Sequence, residues 1–328
     1  MRACWESEGR SRQPPAQIRS ACVAVALGGA ARIAGGLTSP RQPGFARAMP
    51  LLSGRAKLAG VLGWPVAHSR SPLLHGTWLE RHGIDGAYLP LPVRPERFAD
   101  SVRALADLGF RGANATIPHK EAAFALCDRI EASAERAGAV NTLVFRDGRI
   151  EGSNTDGFGF LESCAQAVPH WSAAAGPAVL LGAGGAARAI AAALLDAGCP
   201  RLTLVNRNAA RAEALARMLG GPVEAADRAP LERASLLVNA TSLGMAGEPA
   251  LDIDLAPLPA GAVVADIVYV PLETPLLAAA RVHGGLHAVD GLGMLLHQAR
   301  PGFEAWFGEA PVVDADLRAI VAADIPLR

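Results

Sequence analysis

Lysine is nearly absent from this sequence: of its 31 basic residues only Lys57 and Lys120 are lysines, and the rest are arginines. Paired cysteines are absent too. The five cysteines (Cys4, Cys22, Cys127, Cys164 and Cys199) are odd in number, scattered and without a C-x-x-C, which excludes a disulfide framework and a structural zinc site and suits a reducing compartment. The eight histidines show no H-E-x-x-H or similar ligand spacing, so no metal is expected. No uninterrupted apolar run reaches the roughly 18 residues of a membrane-spanning helix. Formal net charge is zero, which removes the basic field that nucleic acid would require and any acidic tail. What remains is 328 residues, 51% of them hydrophobic, long enough for two domains with separate cores.

The first 48 residues differ from the rest. They carry seven arginines against two acids, Glu6 and Glu8, with Ser, Pro and Gly throughout and no clean periodicity. A transit peptide has this composition, whereas a signal peptide needs a longer apolar core than "ACVAVALGGA". The expectation is a disordered extension upstream of a true start at Met49, which directly precedes the first segment that reads as folded.

From Met49 onward apolar strands alternate with amphipathic helices, the pattern of parallel sheets covered by helices. Ala56 to Val66 reads as a buried strand. Leu73 to His82 reads as a helix, with Ser71-Pro72 as an N-cap and first-turn pair. "AYLPLPV", "PERFADSVRALADLGF" and "RGANATI" read as strand, helix and strand. The alternation restarts at Gly176 with an apolar strand, a Gly-rich turn and an Ala-rich helix ending at Gly198. "RLTLVNR", "AARAEALARML", "ASLLVNAT" and "AVVADIVY" follow as strand, helix, strand and strand, and a last helix runs from about Leu292 to Phe307. The fold class is therefore α/β with two α/β domains and a cleft between them. Residues 49–156 plus 292–328 are expected to form one domain with a mostly parallel sheet, and 157–291 a Rossmann-type domain.

Gly182-Ala183-Gly184-Gly185-Ala186-Ala187 fits G-x-G-x-x-A between a legible strand and a legible helix. Gly182 permits the tight turn, Gly184 lets backbone approach a pyrophosphate, and Ala187 allows close helix packing. The amides opening the helix would supply donors to the phosphates. At the end of the next strand an NAD site would carry a carboxylate for the ribose 2′-hydroxyl. This chain has Asn206-Arg207-Asn208 and then Arg211 there, which favours the 2′-phosphate of NADP, although two solvated arginines are the plainer alternative.

The N-terminal half carries polar residues that core packing does not require. Ser69 and Ser71 offer two hydroxyls beside a helix start, a carboxylate cradle unless Ser71 is simply an N-cap. Asn114 and Thr116 alternate on one strand and share a face. Lys120, Asn141 and Asp156 each follow a strand or turn, and in open α/β sheets ligands bind beyond the carboxyl ends of strands.

"GWPVAHSRSPLLH", "NATIPHKEAA", "AGAVNTL", "GSNTDGFG", "GAGGAAR", "VNRNAAR", "NATSLGM", "DIVYVPLETPLL" and "DGLGMLLHQA" occur in this order. Together they resemble the shikimate dehydrogenase family from Met49 to about Gly308. The resemblance implies a two-domain enzyme that interconverts 3-dehydroshikimate and shikimate with NADP, in aromatic amino-acid biosynthesis. Lys120 would be the catalytic lysine and Asp156 its partner. Ser69, Ser71, Asn114, Thr116, Asn141, Asp156, Tyr269 and Gln298 would contact the substrate. Gly182, Ala183, Gly184, Gly185, Ala186, Asn206, Arg207, Asn208 and Arg211 would hold NADP, with Ile267 and Gly291 near the nicotinamide. A cytoplasmic location is expected, with small-molecule partners only, and a monomer or homodimer, for which the sequence offers no physical argument either way. Two departures stand out: Gly76 replaces the family's usual Asn, and Ala115 its usual Val. The alternatives are a quinate/shikimate dehydrogenase with relaxed substrate or NAD use, and a non-catalytic ligand-sensing relative.

Ketone reduction needs a hydride on carbon and a proton on oxygen, and the protein must supply the proton. A lysine ammonium can give one and take it back. Arginine stays protonated and cannot. That is the chemical reason for a lysine at position 120 in a chain that otherwise uses arginine.

Overall fold

The computed structural model describes residues 51–326, so the expected extension over residues 1–48 lies outside the described residues. The first half runs β1 (Lys57–Gly63), α1 (Ser71–Arg81), β2 (Gly86–Pro92), α2 (Phe98–Asp107), β3 (Gly112–Ala115), α3 (Lys120–Leu126), β4 (Arg129–Ile130), α4 (Ala132–Ala137), β5 (Thr142–Arg146) and β6 (Arg149–Ser153). The second half runs α5 (Asp156–Ala167), β7 (Ala178–Leu181), α6 (Gly185–Asp196), β8 (Leu202–Val205), α7 (Ala209–Leu219), β9 (Val223–Ala225), β10 (Leu236–Asn239), β11 (Val263–Asp266), α8 (Pro275–His283), β12 (His287–Val289), α9 (Gly291–Phe307) and α10 (Ala315–Ala323).

These strands form two six-stranded sheets. The first has the order β2-β1-β3-β5-β6-β4. Its pairings β1–β2, β1–β3 and β4–β6 are parallel, while β3–β5 and β5–β6 are antiparallel. The β5–β6 hairpin turns at Asp147 and Gly148, whose φ of 52° and 71° fit the two left-handed positions of a type I′ turn. The D-G pair signals this hairpin in the sequence, and the strand–helix reading passed over it. The second sheet, β12-β11-β10-β7-β8-β9, is parallel at every pairing. Its order is that of a doubly wound dinucleotide-binding sheet, with the topological switch between β7 and β10.

Each sheet buries apolar residues on both faces. One face of the second sheet packs Leu180, Leu204 and Val238 against Ile190 and Leu194 of α6; the other packs Val179, Leu237 and Val264 against Leu276 and Ala280 of α8. The first sheet is covered on one face by Phe98 and Val102 of α2 and on the other by α1, α9 and α10. Helix α9 thus follows the second sheet in the chain but packs on the first. Lys57, on β1, ties down its far end by donating from Nζ to the Phe307 carbonyl at 2.7 Å. Helix α10, which the sequence reading did not include, adds Leu317 and Val321 to that layer.

The layer over β1 and β2 holds a fully buried histidine. The His75 ring lies 3.9 Å from the Tyr88 ring at an interplanar angle of 7°, with Trp78, Phe303 and Trp306 around it. Neither ring nitrogen has a hydrogen-bond partner. Burial pushes its pKa from 6.5 down to about 3, so the folded protein keeps it neutral. The unfolded chain takes up this proton as pH falls through 6.5, whereas the folded chain does not until about 3. Stability should therefore fall with acidification across that window, by up to about 1.4 kcal/mol per pH unit from this group. Urea unfolding between about pH 7 and pH 5 measures the slope, and His75→Phe should flatten it.

Candidate active site

Thr116 lies one residue past β3, its amide donating to the Leu62 carbonyl at 2.9 Å. The chain then turns, and Lys120 becomes the first residue of α3. His119, the residue before it, stacks on Phe98 with centroids 4.5 Å apart and donates from Nε2 to the Val93 carbonyl at 2.8 Å. That anchoring fixes the start of α3 and the origin of the Lys120 side chain. Asp156 is the first residue of α5, where unpaired amides and the helix dipole favour a carboxylate. Its own amide donates to Asn154 Oδ1 at 3.0 Å. Its carboxylate accepts from Asn141 Nδ2 at 2.8 Å and from Lys120 Nζ at 2.5 Å. The Asp156 side chain is 7% exposed and that of Lys120 21%.

Around this pair is a cleft of about 190 Å³ that draws on both halves of the chain. Ser69, Ser71, Asn114, Thr116 and Asn141 line it from the first half of the chain, Tyr269 from beyond β11, and Gln298 from α9. Every residue expected to touch substrate is therefore brought to one cavity. Ala186, Ile267 and Gly291 line it too. His68, Met294 and Leu295 are also in the wall and were not singled out as site residues from the sequence, where nothing distinguishes them from rim and core residues.

The sequence expectation for Ser71 needs a correction. Arg70 is the N-cap of α1, and no side chain caps that end. Ser71 is the first helical residue, buried, with its amide donating to Ser69 Oγ at 3.3 Å. Its hydroxyl is therefore not spent on capping. Tyr269 is largely buried, and that burial raises its pKa, which keeps the phenol protonated and able to donate. Asn141 is more heavily engaged than expected: Oδ1 accepts from the Thr155 amide at 2.9 Å and from Thr142 Oγ1 at 2.9 Å.

Beside this cleft the second sheet presents its switch point. Gly182 adopts φ +115°, and a Cβ there would stand 2.8 Å from the Ala240 carbonyl of the neighbouring strand end. Gly184 and Gly185 open α6 with free space where a side chain would be, and no side chain caps the helix. Ala183, Gly184, Gly185 and Arg211 line a second cleft of about 390 Å³. Arg188 and Glu121 line it as well, 3.4 Å apart, and neither was expected there, although Arg188 closes "GAGGAAR" and that position was its signal. Asn206, Arg207, Asn208 and Gly182 are outside the lining of both clefts. Asn206 donates to the Asn208 carbonyl at 2.8 Å, Asn208 caps α7 by accepting from the Arg211 amide at 3.3 Å, and Arg207 is exposed. The 206–211 segment contains no carboxylate. Open amides at a helix start together with exposed guanidinium groups suit a dinucleotide with an extra phosphate.

Two family profiles match this chain: the shikimate dehydrogenase substrate binding domain over residues 61–143, and shikimate / quinate 5-dehydrogenase over residues 164–243. The shikimate dehydrogenase (NADP(+)) of Acidiphilium cryptum is 66% identical over 279 residues, covering 84% of this chain and 99% of that protein. The chain belongs to the shikimate dehydrogenase family. Among solved members, shikimate 5-dehydrogenase from Thermus thermophilus in complex with NADP(H) and shikimate superposes with a TM-score of 0.73 at 38% identity. The match covers 82% of this chain and all of that one. Quinate dehydrogenase from Corynebacterium glutamicum in complex with NAD has a TM-score of 0.75 at 31% identity, covering 82% of this chain and 99% of that one.

In this family member the wall formed by Ile267 and Gly291 is set by backbone contact. A Cβ on Gly291 would meet the Ile267 carbonyl oxygen at 2.2 Å. Ile267 cannot yield freely, because the preceding Asp266 is buried and accepts from Asn239, Thr274 and the Val268 amide at 2.7–3.0 Å. Gly291→Ala should therefore destabilise the fold by about 1–3 kcal/mol through overpacking. Urea unfolding checks this, and an unchanged midpoint would show that the wall is soft.

Proposed function

We propose that this chain reduces 3-dehydroshikimate reversibly to shikimate with NADPH, within aromatic amino-acid biosynthesis, and that Lys120 and Asp156 form its acid–base pair. The observation that carries this reading is the 2.5 Å contact between Lys120 Nζ and Asp156 Oδ2 inside a cleft walled by both sheets.

NADPH, when bound, supplies the hydride. In the reduction direction Lys120 donates a proton to the developing alkoxide, and its remaining positive charge stabilises that oxygen until transfer is complete. Asp156 holds Nζ in one position and keeps its charge throughout. The lysine side chain is partly exposed, so it recovers a proton from water. In the oxidation direction the same amine removes the hydroxyl proton. Ser69 and Ser71 hold the substrate carboxylate, while Asn114, Thr116, Asn141, Tyr269 and Gln298 hold its hydroxyls. Gly182 to Ala186 receive the pyrophosphate, Asn206, Arg207, Asn208 and Arg211 the adenosine end, and Ile267 and Gly291 border the nicotinamide. The expected division into residues 49–156 plus 292–328 and 157–291 belongs to the same reading, as does a cytoplasmic monomer or homodimer.

The decisive assay is NADPH consumption with 3-dehydroshikimate; no consumption above background would sink the proposal. Lys120→Ala should lower kcat about 10²- to 10⁴-fold, with a smaller change in KM. Lys120→Arg should be nearly as slow, because it keeps the charge and loses the exchangeable proton. A Lys120→Ala enzyme with near wild-type kcat would remove the lysine from the mechanism.

Arg207 and Arg211 separate this reading from an NAD-using quinate dehydrogenase. Replacing both by Ala should raise KM for NADP about tenfold or more and leave NAD kinetics almost unchanged. Equal effects on the two cofactors would refute their role at the 2′-phosphate.

A further inference from the structure

Behind the cleft, outside its lining, stands a phenol that none of the family motifs contains. Tyr88 on β2 is 6% exposed. Its hydroxyl donates to Asn114 Oδ1 at 2.5 Å. The Tyr88 ring is held flat by the neutral His75. On the far side, Asn114 Nδ2 donates to the Asn141 carbonyl at 3.0 Å and to Thr142 Oγ1 at 3.2 Å. Thr142 Oγ1 in turn donates to Asn141 Oδ1 at 2.9 Å, and Asn141 Nδ2 donates to Asp156. A continuous hydrogen-bonded chain thus runs from Tyr88 through Asn114, Thr142 and Asn141 to Asp156 and Lys120.

The polarity of this chain has a consequence for recognition. A carboxamide offers two N–H donors and two lone pairs. Both Asn114 donors are consumed by Asn141 and Thr142, and one lone pair by Tyr88. The only remaining capacity is the second lone pair on Oδ1. Asn114 can therefore only accept a hydrogen bond from a ligand, so its partner must be a hydroxyl or another donor and cannot be a carboxylate or a ketone oxygen. Rotating the amide by 180° would set Nδ2 against the Tyr88 hydroxyl, which could then only accept, and Oδ1 against the Asn141 carbonyl, a repulsive pair.

We infer that Tyr88 and Thr142 are positioning residues, which lock the Asn114 carboxamide in the orientation that accepts a substrate hydroxyl and so select a hydroxylated ring over a deoxygenated one. This rests on the function proposed above and deepens it, since it assigns a hydrogen-bond direction and two further residues to the same site.

The test uses the full-length enzyme, with shikimate and NADP as the varied substrates. Tyr88→Phe keeps the ring and its stack on His75 and deletes only the hydroxyl. Its KM for shikimate should rise about tenfold, the effect of loosening one buried hydrogen bond at a binding group, while KM for NADP stays within about twofold. Thr142→Val should show the same split, and Thr142→Ser, which keeps the hydroxyl, should restore the wild-type KM. A lower melting temperature with unchanged KM for shikimate would make Tyr88 merely structural and overturn the inference. So would parallel rises in both KM values, or failure of both Tyr88→Phe and Thr142→Val to yield folded protein. A wild-type enzyme that does not oxidise shikimate with NADP would instead sink the proposed function, and this inference with it.

Discussion

The Asp156 carboxylate is the group on which the geometry of the cleft depends. A carboxylate this deeply buried is strongly unfavourable unless it is paired and hydrogen-bonded. Here the carboxylate's two partners come from separate stretches of chain, the start of α3 through Lys120 and the approach to β5 through Asn141, while Asn154 in the loop before α5 accepts from the Asp156 backbone amide. Each must be in place whenever the chain is folded. The structure that satisfies the buried charge is therefore the structure that assembles the site, and the two cannot be separated by a partial rearrangement.

The same residue begins the helix that joins the two sheets. Helix α5 is wedged between α6 and α9 at glycine contacts. A Cβ on Gly157 would stand 2.7 Å from the Ala189 carbonyl in α6, and one on Gly159 would stand 2.7 Å from the Gln298 amide in α9. From the other side, a Cβ on Gly293 would lie 2.2 Å from Ser163 Oγ. The first two glycines meet the neighbouring backbone and the third a side-chain oxygen, so the distance from the Gly-rich turn opening α6 to the carboxylate opening α5 is set by close-packed contacts with little room to compress. Both glycines of "TDGFG" and the second glycine of "DGLGM" serve this spacing. Asp290, in the second of these, caps α9 by accepting from the Leu292 amide, which fixes where that helix begins.

Legibility followed the range of the interactions. The second sheet was readable because each strand–turn–helix unit carries its own signal, from the apolar run Ala178–Leu181 to the turn at Gly182. Most of the site residues were readable as polar side chains at strand ends where packing needs none. What stayed hidden depends on distant partners. Strand β5 runs antiparallel to both of its neighbours in an otherwise parallel pattern, and the D-G turn to β6 was the one local cue. Ser71 looked like a cap because Ser-Pro at a helix start usually is one, yet the helix begins one residue earlier relative to it. Tyr88 gave no local sign and Thr142 only its place in "AGAVNTL": a Tyr and a Thr in strands are ordinary β-formers, and only the registers of β1 with β2, β1 with β3 and β3 with β5 set their hydroxyls at Asn114.

The two lysines now separate into different cases. Lys57 donates to a carbonyl at the C-terminal end of α9, a task that calls for a cation and a reach and that a guanidinium also performs at helix ends. Nothing in that contact requires a proton to leave. At Lys120 the partner is a buried carboxylate, and a guanidinium would satisfy that partner at least as well, with two donors in place of one. Stability alone would thus have favoured arginine at position 120 in a chain that uses it almost everywhere. The proposed reaction accounts for its absence there where packing does not: in that proposal the group holds the Asp156 carboxylate in the resting site and still parts with a proton during turnover, and among cationic side chains of this length only lysine does both.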